Sequence, residues 1–204
     1  TYRNIKNHYV LIGFNELSIN MIRELYDECP SARILLMSGM ESATVRHRIQ
    51  SALPVEVERQ VLVYFGNIES IEELQRLNIE SAIEVYVLGD EERYGRDAKN
   101  IAIVHLVSTL RGKCYDGKMM PVYVQFDSIP SYSNIQKMNL PPEVFCIEGK
   151  PNIFFRPFNL HENLARQLWS LYGADCERRY DPLDYRPISI TQQPDGSWSA
   201  TSQD

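Results

Sequence analysis

Short apolar runs alternate along this chain with longer segments of helical period. Tyr9-Val10-Leu11-Ile12 is the first run, and Gly13 ends it. Beyond that turn Leu17, Met21, Ile22 and Leu25 recur at three- and four-residue steps, which predicts a helix with one apolar stripe. Ile34-Leu35-Leu36-Met37 predicts a second strand. Ser42 to Leu53 predicts a helix that Pro54 stops, because proline lacks the N–H and its ring collides with the preceding turn. Val61-Leu62-Val63-Tyr64-Phe65 runs into Gly66-Asn67, and Ser70 to Leu77 gives a short helix. Val85-Tyr86-Val87-Leu88 is followed by a long helical stretch from about Asp97 to Leu110, with Ile101, Val104, Leu106 and Val107 apolar. Val122-Tyr123-Val124 and Val144-Phe145-Cys146-Ile147 complete six runs. Continuous apolar runs are strands buried on both faces, and helices between them are what parallel crossovers require. The expected fold is α/β: a Rossmann-like, doubly wound, mainly parallel six-stranded sheet over residues 1–150.

After Gly149 the rhythm changes. Pro151 and Pro157 bracket the aromatic pair Phe154-Phe155, and a helix from Asn159 to Tyr172 follows, with Leu160, Leu164, Leu168 and Leu171 in a narrow stripe beside Trp169. That stripe either docks on a partner subunit or covers the edge of its own sheet; the pattern permits both. Asp181-Pro182 and Arg186-Pro187 predict an extended linker over residues 181–204, leading to a downstream domain. With Thr1 in place of an initiator Met and a polar stretch from Gln192 to Asp204, the chain reads as a piece of a longer protein.

Composition narrows the field. At 204 residues, 44% hydrophobic and 24% charged, disorder, collagen, coiled coil and a disulfide-stapled miniprotein are excluded. A net charge of −6, with no dense Lys/Arg cluster, excludes nucleic acid as a partner. The four cysteines, Cys29, Cys114, Cys146 and Cys176, form no CxxC pair, which argues against structural zinc and for free thiols in a reducing compartment. No apolar run reaches the roughly 18 residues of a membrane span.

The turn after the first strand carries the candidate chemistry. A dinucleotide site needs glycines there for a tight bend, for the approach of pyrophosphate to backbone and for helix–strand contact. Here the turn reads Gly13-Phe14-Asn15-Glu16-Leu17-Ser18, so only the first glycine remains. Asn15 is expected to place a side chain where pyrophosphate would sit, and Ser18 replaces the glycine of the helix contact. The carboxylate expected after the second strand, for ribose hydroxyls, is absent from Met37-Ser38-Gly39. Both departures argue against ordinary NAD binding.

The sequence nevertheless resembles the RCK domains (regulators of potassium conductance, also called TrkA-N or KTN domains). The resemblance rests on Val10-Leu11-Ile12-Gly13-Phe14-Asn15, on Phe65-Gly66-Asn67-Ile68-Glu69, and on Ala82-Ile83-Glu84-Val85-Tyr86-Val87-Leu88 with acidic residues following, and it covers about residues 8 to 172. Within the family it looks most like the branch related to the symbiosis ion channels. The resemblance implies a cytosolic regulatory module of a potassium or other cation channel or transporter. It would pair with itself as a homodimer or gating ring, be joined to a membrane pore domain, and have no turnover of its own. Residues 151–180 would then be a crossover and dimerisation helix. It further implies a ligand in the cleft at the strand C-termini, either a nucleotide (NAD, NADH, ADP or ATP) or a divalent cation. Gly13, Asn15, Ser38, Asn67 and Asp90 are the candidate nucleotide contacts, and Asp90 with Asp127 the candidate cation ligands.

Blander readings stand beside these. Glu91 and Glu92 would pair with Arg93 or Arg96 in a solvated acidic loop, Asn67 or Ser70 would cap a helix, and Cys146 would be an inert buried thiol. His8, His47, His105 and His161 lie near no motif of catalytic spacing. A fragment of a dinucleotide-dependent oxidoreductase and a ligand-free scaffold for assembly remain alternatives.

Overall fold

The computed structural model describes residues 5–92, 95–112, 118–138, 140, 144–147, 150–165, 188–192 and 198–202. Six strands form one parallel sheet: β1 (His8–Ile12), β2 (Ile34–Ser38), β3 (Val61–Phe65), β4 (Ala82–Val87), β5 (Met120–Gln125) and, last, a strand at Ile153–Phe158. Their spatial order places β3, β2, β1, β4, β5 and Ile153–Phe158 side by side, so chain direction across the sheet reverses between β1 and β4. The doubly wound expectation holds, and the strand C-termini on either side of that reversal form the cleft where ligands bind in such sheets.

The sixth strand is not the one expected. Cys146–Ile147 (β6) pairs antiparallel with Lys150–Pro151 (β7) in a separate two-stranded ribbon. The sixth place in the sheet belongs to Ile153–Phe158 (β8), in register with β5 from Met120↔Ile153 to Gln125↔Phe158. Pro157 disguised this strand, but β8 is an edge, where a missing N–H costs no ladder bond. Asn152 anchors its start: its amide donates to Ser108 O (2.7 Å) while the Ser108 hydroxyl donates to Asn152 Oδ1 (2.9 Å).

Alternation along each strand sends side chains to two cores. On one face Val10, Ile12, Val85, Val87, Val122 and Val124 meet Leu74, Val104 and Tyr132, from helices α4 (Ile71–Leu74), α5 (Arg96–Gly112) and α6 (Ile129–Lys137). On the other, Tyr9, Leu11, Leu36 and Tyr86 meet Ile22, Val45 and Val57, from α1 (Ser18–Glu28), α2 (Ser42–Ala52) and α3 (Val55–Glu58). The sequence pattern hid α6 because its apolar stripe is short: Tyr132 is buried and Ile135 packs beside it, but Ile129 is exposed. Its true signal is local, a Ser128 cap accepting from Ser131 N–H with Pro130 in the first turn.

Asn159 caps the helix that follows β8, accepting from Glu162 N–H at 2.9 Å. Residues 160–165 of it are described, and Leu160 and Leu164 stand 39% and 50% exposed on one side of it. The remainder to Tyr172, with Leu168, Trp169 and Leu171, lies outside the described residues, as do Cys114, Cys176 and residues 181–187. Within the segment expected to be a linker, Ile188–Gln192 (β9) pairs antiparallel with Trp198–Ser202 (β10).

One buried histidine gives the fold a pH dependence. His8 is 0% exposed; its Nε2–H donates to Leu77 O (2.9 Å), and Nδ1 has no partner. Burial pushes its pKa below the ordinary 6.5, against the weaker opposing pull of the Leu77 carbonyl and Glu80. The unfolded chain therefore binds a proton at about 6.5 that the folded chain refuses. This contribution to stability is complete above that pH and is lost as pH falls below it, by at most about 1.4 kcal/mol per pH unit. Urea midpoints measured from about pH 7.5 down to 5 should fall for the native sequence and fall less steeply for His8→Gln.

Candidate functional site

The reversal between β1 and β4 is a backbone-to-backbone contact. Leu88 and Gly89 both donate N–H to Ile12 O, at 2.9 and 3.1 Å. A Cβ on Gly13 would lie 2.2 Å from Gly89 C, and Gly13 has φ +94°. Glycine at 13 is thus required by packing as well as by dihedral. Gly89, at φ +73°, lies over the Arg96 side chain, whose Cγ would be 2.8 Å from an added Cβ.

The first turn spends its N–H groups internally. Gly13 N donates to Met37 O (2.8 Å), Asn15 N to the Ser18 hydroxyl (2.9 Å), Leu17 N to Asn15 Oδ1 (2.9 Å) and Ser18 N to Asn15 O (3.1 Å). Asn15 does not reach into the pyrophosphate position as expected. Its side chain turns inward, 2% exposed, and its amide donates to Leu88 O (3.0 Å), Gly89 O (3.3 Å) and Gln125 Oε1 (2.9 Å). A short amide at the point where three strand ends meet satisfies carbonyls that would otherwise be buried unpaired, and the bonds outweigh exposure. Ser18, 0% exposed, takes the glycine position against the strand.

Asp90 supplies what the end of β2 lacks. Its Oδ1 accepts from the Ser38 hydroxyl at 2.6 Å and from Phe14 N–H at 3.0 Å, and its Oδ2 accepts from Gly39 N–H at 2.9 Å. The carboxylate missing from Met37-Ser38-Gly39 arrives from the loop after β4 and is held by donors of the protein itself. Ser38 also accepts from Met40 N–H (3.0 Å), which fixes its hydroxyl hydrogen toward Asp90. The structure thus gathers Gly13, Asn15, Ser38 and Asp90 around one junction. Asn67 follows Gly66, whose N–H donates to Ser38 O (3.1 Å), and its side chain accepts from Glu69 N–H (2.9 Å) in the turn before α4, while Ser70 caps that helix through Glu73 N–H.

Asp127 keeps different company. Arg96, 2% exposed, brings Nη1 to 2.8 Å from Asp127 Oδ2, a charge contact whose angles are not those of a hydrogen bond. Asp97 accepts from Asp127 N–H (2.8 Å) and Ser128 N–H (3.2 Å), so the head of α5 is tied to the end of β5. Asp90 and Asp127 are therefore held by separate donor sets. Among the described residues no group of three or more His, Cys, Asp or Glu side chains gathers to hold a metal ion. In the acidic loop Glu91 bonds Arg48 of α2 and Glu92 lies 3.4 Å from Lys99, while Arg96 is turned inward beneath Gly89; Arg93, the other expected partner, lies outside the described residues. Arg48 in turn lies over the Phe14 ring, 6.0 Å from its centroid. Arg96, Asp97, Gln125 and Asn100, whose amide donates to Gln125 O (2.9 Å), stand around the same strand ends, and periodicity could not reveal them. Asp97 alone carried a signal, an acid in a helix first turn.

No protein-family model matches the chain, and no curated protein matches it. Among solved structures it is similar to a GsuK mutant (14% identity, TM-score 0.52, 84% of this chain and 36% of that one). It is similar also to GsuK bound to ADP (12% identity, TM-score 0.51, 85% and 36%). The TrkA-N domain of the inner membrane protein YbaL from Escherichia coli matches at 14% identity and TM-score 0.48, over 83% of this chain and 98% of that one. None of the three is a symbiosis ion channel. The chain spans between 20% and 36% of the GsuK chains it matches. The likeness to GsuK shows a shared fold.

Two substitutions test the junction. Gly13→Ala should cost about 3 kcal/mol or more, since a positive φ and a backbone collision combine. Asn15→Ala should cost about 2 kcal/mol by stranding buried carbonyls. Chemical denaturation of each variant measures both, and a loss under about 0.5 kcal/mol for either would contradict the geometry.

Proposed function

We propose that this chain is a regulatory domain of the RCK (TrkA-N) type, working on the cytoplasmic face of a membrane channel or transporter for potassium or another cation. It acts through ligand-dependent movement within an assembly of its own copies, joined to a membrane pore domain, and turns over no substrate. The fold shared with GsuK, which has been solved with ADP bound, supports this reading beside the sequence resemblance to RCK domains. Among the described residues no helix is long and apolar enough to cross a membrane, so the pore would be another segment. Leu160 and Leu164, exposed just past β8, supply the start of an apolar face for a second copy.

The observation that carries the proposal is the state of the first turn. A dehydrogenase must present that turn's N–H groups to pyrophosphate and keep a carboxylate free for ribose. Here Phe14 N–H is already donated to Asp90, and Asn15, Leu17 and Ser18 N–H are bonded within the turn. Such a turn suits a sensor of modest affinity better than a tight cofactor site. The same bonds favour a second reading, a scaffold that assembles without ligand.

A thermal-shift panel with NAD, NADH, ADP, ATP, calcium and magnesium separates the two, because a ligand that binds only the folded state stabilises it by RT ln(1 + [L]/Kd). The sensor reading expects a shift with at least one ligand and a dimer or larger species in sedimentation. Assembly without any shift would select the scaffold, and a monomer at tens of micromolar would contradict both.

A further inference from the structure

We infer that Asp90 is the resident anion of the cleft, and that a nucleotide phosphate enters only by displacing it. This rests on the nucleotide-sensing reading above and goes further, naming the competitor that the chain carries within itself.

Three donors from two different strand ends converge on the Asp90 carboxylate: Phe14 N–H after β1, and the Ser38 hydroxyl and Gly39 N–H after β2. Two main-chain amides and a hydroxyl aimed at one point are an anion site, and charge-assisted bonds of this kind are the strong ones. Their occupant is covalently part of the loop after β4, so its local concentration does not vary with solution conditions. Ser38 is 0% exposed, so without Asp90 its hydroxyl would face a buried site with no partner for the hydrogen that Met40 N–H directs there.

A free phosphate would want the same amides and would meet the carboxylate at contact distance. Like charges cannot share so few donors, so one must leave. Asn15 and Ser18 cannot leave, because they belong to the turn and are buried. Asp90 can, because it is partly exposed and, among the described residues, the side chain of the next residue is held by an exposed pair, Glu91 with Arg48. Gly39 leaves the same space open: a Cβ there would come to 3.1 Å from Asp90 Oδ2, so a side chain at 39 would crowd whichever anion is bound.

The alternative role for a carboxylate in this place is to accept from ribose hydroxyls, and it predicts the opposite result. Titration calorimetry of the chain with ADP and with inorganic pyrophosphate distinguishes them, using the native sequence, Asp90→Asn, Asp90→Ala, Glu91→Gln and Glu92→Gln, each checked for a cooperative melt. Displacement expects both Asp90 variants to bind ADP and pyrophosphate about tenfold or more tightly than the native chain. Glu91→Gln should show a smaller gain, and Glu92→Gln, which removes a charge without touching the donors, none. Asp90→Asn keeps the shape of the loop should Asp90→Ala unfold. Equal or weaker binding by the Asp90 variants overturns the inference and leaves nucleotide sensing intact. A gain in Glu92→Gln as large as in Asp90→Asn also overturns it, as a general charge effect. Absence of binding in every protein overturns nucleotide sensing and the inference with it.

Discussion

The contact between Gly13 and Gly89 is the constraint on which the site depends. β1 and β4 run side by side and parallel, and the turns that follow them come so close that Gly13 has no room for a Cβ against the Gly89 backbone. That approach lets Ile12 O accept from both Leu88 and Gly89, and it brings β4 carbonyls within reach of a side chain from the first turn. Asn15 fills that position, bridging to β4 and to Gln125 of β5. Only with the strand ends so joined does the loop after β4 pass close enough to the end of β2 for Asp90 to reach Ser38 and Gly39. One backbone approach thus determines where every polar group at the cleft can go.

The polar chemistry around this junction is arranged by satisfaction of buried groups rather than by display of reactive ones. Asn15 and Asn159 each join two elements through paired amide bonds and are almost fully buried, and Asn152 does the same at the opposite end of the sheet, where β8 begins. Arg96 is the exception, a buried cation with Asp127 against one side and its Nε and Nη2 without hydrogen-bond partners. A buried charge is tolerated only when countered, so Asp127 balances Arg96.

Much of the architecture was legible because five strands are uninterrupted apolar runs and their helices carry apolar stripes. The failures have particular causes. Pro157 disguised β8, although an edge strand loses nothing by a proline; the apolar run at Val144–Ile147 imitated a strand of the main sheet but ends in a ribbon with Lys150–Pro151. Helix α6 packs only Tyr132 and Ile135 on the core and exposes Ile129, so its Ser128 cap was the clearer signal. At the site, the sequence showed which groups were missing from a dinucleotide fingerprint but not what replaced them. Asn15 was legible as an intrusion and not as a staple, and the carboxylate absent after β2 lay fifty residues away in the chain, at Asp90. Such substitutions depend on contacts between strand ends, which no local pattern encodes.

The account stands on the Asp90 carboxylate holding amides from two strand ends at once. Native-state hydrogen exchange at Phe14 and Gly39 measures that directly, since neither N–H has another acceptor within its own turn. The account predicts protection of both amides in the native chain, and loss of protection at both together in Asp90→Ala while Gly13 N–H, bonded to Met37 O, stays protected. Free exchange at Phe14 and Gly39 in the native chain would contradict it.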